Sequence, residues 1–93
     1  MKKTPSYTYI ISFLAQENVF KNIEDIIFNQ VLKTGVNSAV AKLIVYSSLM
    51  KLKRNGTLVF INSVSGKRVW GFYRWLDDNN KPLMQHLPQN SSI

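Results

Sequence analysis

Apolar and polar positions along this chain follow two different periods, helical over the first half and strand-like over much of the second. Tyr7, Ile10, Ile11 and Leu14 fall at i, i+3, i+4 and i+7, the stripe of an amphipathic helix. Thr4 offers an N-cap and Pro5 a first helical position, and the helix is expected to fade near Glu17-Asn18. Ile23, Ile26, Ile27 and Val31 make a second stripe, with Phe28 and Leu32 beside it. Asn22 caps that helix, Glu24 and Asp25 suit the positive end of its dipole, and Gly35 suits its exit. After the turn Thr34–Ser38 the spacing predicts a third helix, Ala39 to Arg54, capped by Asn37 or Ser38 and closed at Asn55-Gly56. It carries two apolar lines, Val45, Leu49 and Leu52 on one side and Ala39, Leu43, Tyr46 and Met50 on another. Two lines suit a helix wedged between neighbours, which leaves Val40, Ala41, Ile44, Ser47, Ser48 and Lys51 as its outer surface.

The period then changes. Thr57–Val64 and Lys67–Trp75 read as two strands hinged at Ser65-Gly66, a hairpin signal. Leu58, Phe60, Val69, Trp70, Phe72 and Trp75 are expected in the core, and Gly71 marks a bulge or a close backbone approach. Beyond Leu76 the chain turns polar. Residues 1–5 are therefore read as a flexible basic lead, 6–76 as one folded domain, and 77–93 as a loosely ordered tail in which His86 is solvated.

Charge changes the picture most. Twelve Lys and Arg face five Asp and Glu, a formal net charge of +7. Between Ile26 and Leu76 there is no carboxylate, while Lys33, Lys42, Lys51, Lys53, Arg54, Lys67, Arg68 and Arg74 all lie there. Such a block favours a polyanion, nucleic acid before an anionic membrane surface. No apolar run approaches the roughly 18 residues of a spanning helix, so no membrane role is expected. Met1-Lys2-Lys3 looks like the start of a secretory signal, but Tyr7, Thr8, Tyr9, Ser12 and Gln16 interrupt the apolar segment behind it, and a cytoplasmic protein is expected. The chain has no cysteine, which excludes thiolate chemistry. A phosphate-binding glycine loop, a dinucleotide fingerprint and a metal-ligand spacing are also missing, so neither catalysis nor a cofactor, metal or small-molecule ligand is expected.

The order of helix, glycine turn, long helix, Asn55-Gly56 and ribbon resembles winged helix-turn-helix domains. Leu58-Val59-Phe60-Ile61 followed by Trp70-Gly71-Phe72-Tyr73-Arg74-Trp75 looks most like the HARE-type helix-turn-helix. The resemblance implies an α+β fold, a three-helix helix-turn-helix core with a C-terminal two-stranded β-wing. It also implies double-stranded DNA as partner, contacted through Asn37, Ser38, Ser47, Ser48 and Lys51 of the third helix and through Lys67 and Arg68 of the wing. Arg54 joins Lys51, Lys67 and Arg68 as a candidate for phosphate neutralisation, in a transcriptional regulator or a nucleoprotein accessory factor. The middle of the helix offers no Arg, Asn or Gln, the side chains that most often read base edges, so strong sequence specificity is not expected. An alternative stays open, a protein-interaction module in which Val40, Leu43, Ile44 and Met50 meet a partner or a second copy. A third option is single-stranded nucleic acid stacked on Trp70 and Trp75.

Overall fold

In the computed structural model, which describes residues 6–63 and 65–87, each helix ends where a side chain or a left-handed residue satisfies its free backbone groups. α1 spans Ser6–Glu17, and Asn18 at φ 60° donates its N–H to Leu14 O at 2.8 Å. The expected Thr4-Pro5 start lies outside the described residues. α2 spans Ile23–Thr34; Asn22 Oδ1 accepts from Asp25 N–H at 2.8 Å, and Gly35 at φ 76° donates to Val31 O. α3 spans Ser38–Arg54; its N-cap is Asn37, whose Oδ1 accepts from Val40 N–H at 2.9 Å. At the far end Gly56, at φ 86°, donates to Lys53 O, and Thr57 N–H reaches back to Leu52 O.

The strands are β1 (Lys21–Asn22), β2 (Leu58–Asn62) and β3 (Arg68–Phe72), in the antiparallel order β1-β3-β2. The fold is thus α+β, with three α-helices and one three-stranded sheet among the described residues. The expected two-stranded ribbon gains a third strand that sequence could not signal, because two residues carry no periodicity. Lys21 lies opposite Trp70, and Phe60 opposite Trp70 on the other side, so β3 is central. The pairing is unbroken through Val59↔Gly71, so Gly71 is not a bulge. It is a close approach instead: a Cβ there would run into the Phe20 ring at Cδ1 and lie 2.6 Å from Trp75 Cε3. β3 ends at Phe72 rather than Trp75, since Tyr73–Trp75 form a 3-10 turn that brings Trp75 back beside Gly71.

The core joins Ile10 and Leu14 of α1, Phe20, Ile26 of α2, Val45, Leu49 and Leu52 of α3, and Leu58, Val69, Trp70, Phe72 and Trp75. α2 is rolled relative to expectation. Ile26 sets its inner face, and the i+3 and i+4 positions from Ile26 are Asn29 and Gln30, both buried. Phe28 and Leu32 fall on the far side, 64% and 66% exposed.

The segment after Leu76 differs from the loose tail the sequence suggests, as far as Leu87. Asp77 Oδ1 accepts from Asn79 N–H at 2.8 Å and Lys81 N–H at 3.0 Å, closing the polar run into a turn. Leu83 N–H then donates to Trp75 O, and Phe20 N–H to His86 O, both at 2.8 Å. His86 is buried rather than solvated. Its ring stacks on Trp75 at 4.4 Å and 10°, and Nδ1 lies 2.8 Å from Asn18 O. A carbonyl only accepts, so Nδ1 carries the proton. Residues 88–93 lie outside the described residues.

Two outcomes are expected. Gly71→Ala should cost about 1–3 kcal/mol in urea denaturation, since both obstructing rings are buried and cannot withdraw cheaply. His86→Ala should cost about 1–3 kcal/mol through the lost hydrogen bond and ring stack; a midpoint equal to that of the parent chain would mean that the Leu83–Leu87 return does not hold the fold.

Candidate nucleic-acid interface

The rotation of α3 about its axis decides which side chains can meet a partner. Ala41, Val45, Ser48, Leu49 and Leu52 are buried, a single stripe at i, i+4, i+7, i+8 and i+11. Ala41 and Ser48 are therefore inside, not on the outer surface. Ser48, 7% exposed, cannot reach a partner. The other apolar line, expected to be covered, stands in solvent: Ala39 is exposed, and Leu43 is 73%, Tyr46 46% and Met50 47% exposed. Of the apolar residues expected on the outer surface, Val40 is 41% exposed and Ile44 half-buried. Among the described residues no element buries Leu43, Tyr46 or Met50. Tyr46 instead borders an open cleft of about 380 Å³ with Ile23, Asn62, Gly66, Arg68 and Trp70.

The remaining candidates are exposed. Asn37 and Ser38 sit at the N-terminus of α3, where the Asn37 side chain is engaged as the cap. Ser47 is exposed and its hydroxyl donates to Ile44 O at 3.0 Å, the bond of a solvent-facing helical serine. Arg54, Lys67 and Arg68 are exposed; Lys67 closes the Ser63–Lys67 turn, in which Val64 is outside the described residues, and Arg68 follows it.

The cations do not form one cluster. Lys51 leans toward α1, its Nζ 5.9 Å from the centre of the Tyr7 ring. Two residues on, Lys53 points the other way and lies 4.9 Å from the Phe60 ring centre. Arg68 stands 4.1 Å from the same ring. Phe60 thus gathers a cation from the end of α3 and one from the hairpin. Neither Lys53 nor Phe60 stands out as a contact residue in the sequence alone. The observed register sets Arg68 opposite Asn62 and diagonal to Phe60, whereas a two-residue hinge at Ser65-Gly66 would set it opposite Ser63, so the sequence alone does not signal this contact.

Among the described residues the one ion pair joins Lys21 Nζ to Glu17 Oε1 at 3.1 Å. The α3 and hairpin cations have no carboxylate partner there. Also among the described residues, no group of three potential ligands could hold a metal ion, and no helix is long and apolar enough to cross a membrane. Comparison with protein-family models, curated proteins and solved structures found no match.

The helix rotation has a direct check. Ser48→Lys should destabilise by about 2 kcal/mol or more, because a charge would enter the core, whereas Ser47→Lys one position away should leave the thermal midpoint nearly unchanged. Equal tolerance of both would mean that α3 presents another face.

Proposed function

We propose that this chain is a winged helix-turn-helix protein, of the kind most like the HARE-type domains, that binds double-stranded DNA chiefly through phosphates. The fold reading is supported by the element order α1-β1-α2-α3-β2-β3 and the short turn Gly35–Asn37 between α2 and α3. One observation carries the functional reading: Lys53 and Arg68 share the Phe60 ring at the meeting of helix and hairpin, within a stretch free of carboxylates. A ring that already holds both cations reduces the side-chain entropy lost when a phosphate engages them.

In this reading Lys53, Arg54, Lys67 and Arg68 neutralise phosphates, while Asn37, Ser38 and Ser47 lie along the helix toward the duplex. Lys51, turned toward α1, contributes from the flank. With Val40, Leu43 and Tyr46 exposed where base-reading side chains would stand, binding discriminates weakly among sequences. An architectural or accessory role in a cytoplasmic nucleoprotein complex suits this better than a site-specific regulator. The chain acts by binding rather than by catalysis; its lone histidine is engaged by Asn18 and Trp75. A second reading, a protein-interaction module, is favoured by the exposure of Leu43, Tyr46 and Met50.

The double substitution Lys67→Glu/Arg68→Glu should weaken duplex binding about tenfold or more on every sequence alike. It should also reduce the slope of log K against log salt by about 2, near one unit per lost phosphate contact. Electrophoretic mobility shifts at two salt concentrations measure both quantities. Unchanged affinity would exclude the hairpin from the interface.

A further inference from the structure

The geometry points to a docking groove for an acidic amphipathic helix, formed where the exposed Leu43–Tyr46–Met50 stripe of α3 meets the cleft beneath the β2–β3 hairpin. The three side chains recur at i, i+3 and i+7, the spacing of a helix face that packs against another helix. At about 1.5 Å per residue they run roughly 10 Å, two turns of contact. They are not overflow from the core, because Ala41, Val45, Leu49 and Leu52 already supply α3's buried stripe. At Tyr46 the stripe opens into the cleft of about 380 Å³ lined by Ile23, Asn62, Gly66, Arg68 and Trp70, which has room for one bulky anchor side chain. A helix laid in a groove with one inserted anchor is a recurrent mode of peptide recognition.

Charge identifies the occupant. Lys42 and Lys53 bracket the stripe along α3, Arg68 lines the cleft from the hairpin, and neither element carries an acid. A second copy would bring the same cations against these. Its five carboxylates lie elsewhere: Glu17 paired with Lys21, Glu24 and Asp25 in the first turn of α2, and Asp77 and Asp78 in the turn after Leu76. A phosphate backbone could meet the rim but offers nothing apolar to Leu43 and Met50. The complement is a protein helix with leucine-like residues on one face and carboxylates on its flanks. Docking of such a helix does not depend on DNA binding, although Arg68 serves both surfaces.

The test uses the full chain and a fluorescein-labelled synthetic peptide of about 15 residues, near the shortest length that holds helix in water. Its leucines fall at i, i+3, i+4 and i+7 and glutamates fill the remainder. Controls are the same peptide with lysine for glutamate and a shuffled Leu/Glu peptide of identical charge. Fluorescence anisotropy should show the acidic amphipathic peptide binding about tenfold tighter than either control, a preference worth about 1.4 kcal/mol. Leu43→Ser/Met50→Ser should remove that preference while circular dichroism and thermal midpoint stay as in the parent, since both sites are exposed. Binding equal to the shuffled peptide, or an unaltered preference in the double variant, would overturn the proposal. So would a dimer of the parent chain, seen in sedimentation, that the double variant abolishes. The assay contains no DNA and reads only peptide binding, so failure of the DNA reading remains distinguishable.

Discussion

Which side of α3 enters the core constrains the rest of the molecule. With Ala41, Val45, Leu49 and Leu52 inward, the geometry of 3.6 residues per turn sends Leu43, Tyr46 and Met50 outward. α1 and α2 supply Ile10, Leu14 and Ile26 to the buried side, and the sheet closes it with Leu58, Trp70 and Phe72. A single helix therefore divides the molecule into a finished interior and an unfinished exterior. The exterior has apolar contents, which in a small domain is costly unless something covers them.

The electrostatics arise from the same rotation. Lys51 and Lys53 lie on different sides of α3 and end over different rings, Tyr7 and Phe60. The positive charge accordingly fans around the end of α3 rather than facing one way. Where it is concentrated, at Phe60, one aromatic ring attracts two cations that would otherwise repel one another. Arg68 stands at the junction of two kinds of surface, the cationic edge of the hairpin and the apolar side of α3. Polyanion and amphipathic helix would each use it, so the two would compete.

Much of the fold is legible in the residues. The caps at Asn22 and Asn37, the exits at Gly35 and Gly56, and the hairpin itself come from local chemistry that tertiary packing does not override. The departures share a cause. Periodicity identifies a stripe but not which of two stripes wins, so it assigns α3 two covered sides and Ser48 an outward one. On α2 the isoleucine spacing marks the inner face as far as Ile27, but the same period continues into Gln30, where polar identity hides it. β1 and the return through His86 depend on contacts between residues far apart in the chain, Lys21 with Trp70 and Asn18 with His86. No local pattern encodes these. In the candidate site, exposure of Asn37, Ser38, Arg54, Lys67 and Arg68 is foreseeable from polarity, whereas the convergence of Lys53 and Arg68 requires the register.

At the middle of the central strand, the missing side chain of Gly71 leaves room that Phe20 and Trp75 fill from two separate parts of the chain. These positions are therefore not free to vary one at a time: a larger residue at 71 requires a smaller one at 20 or 75.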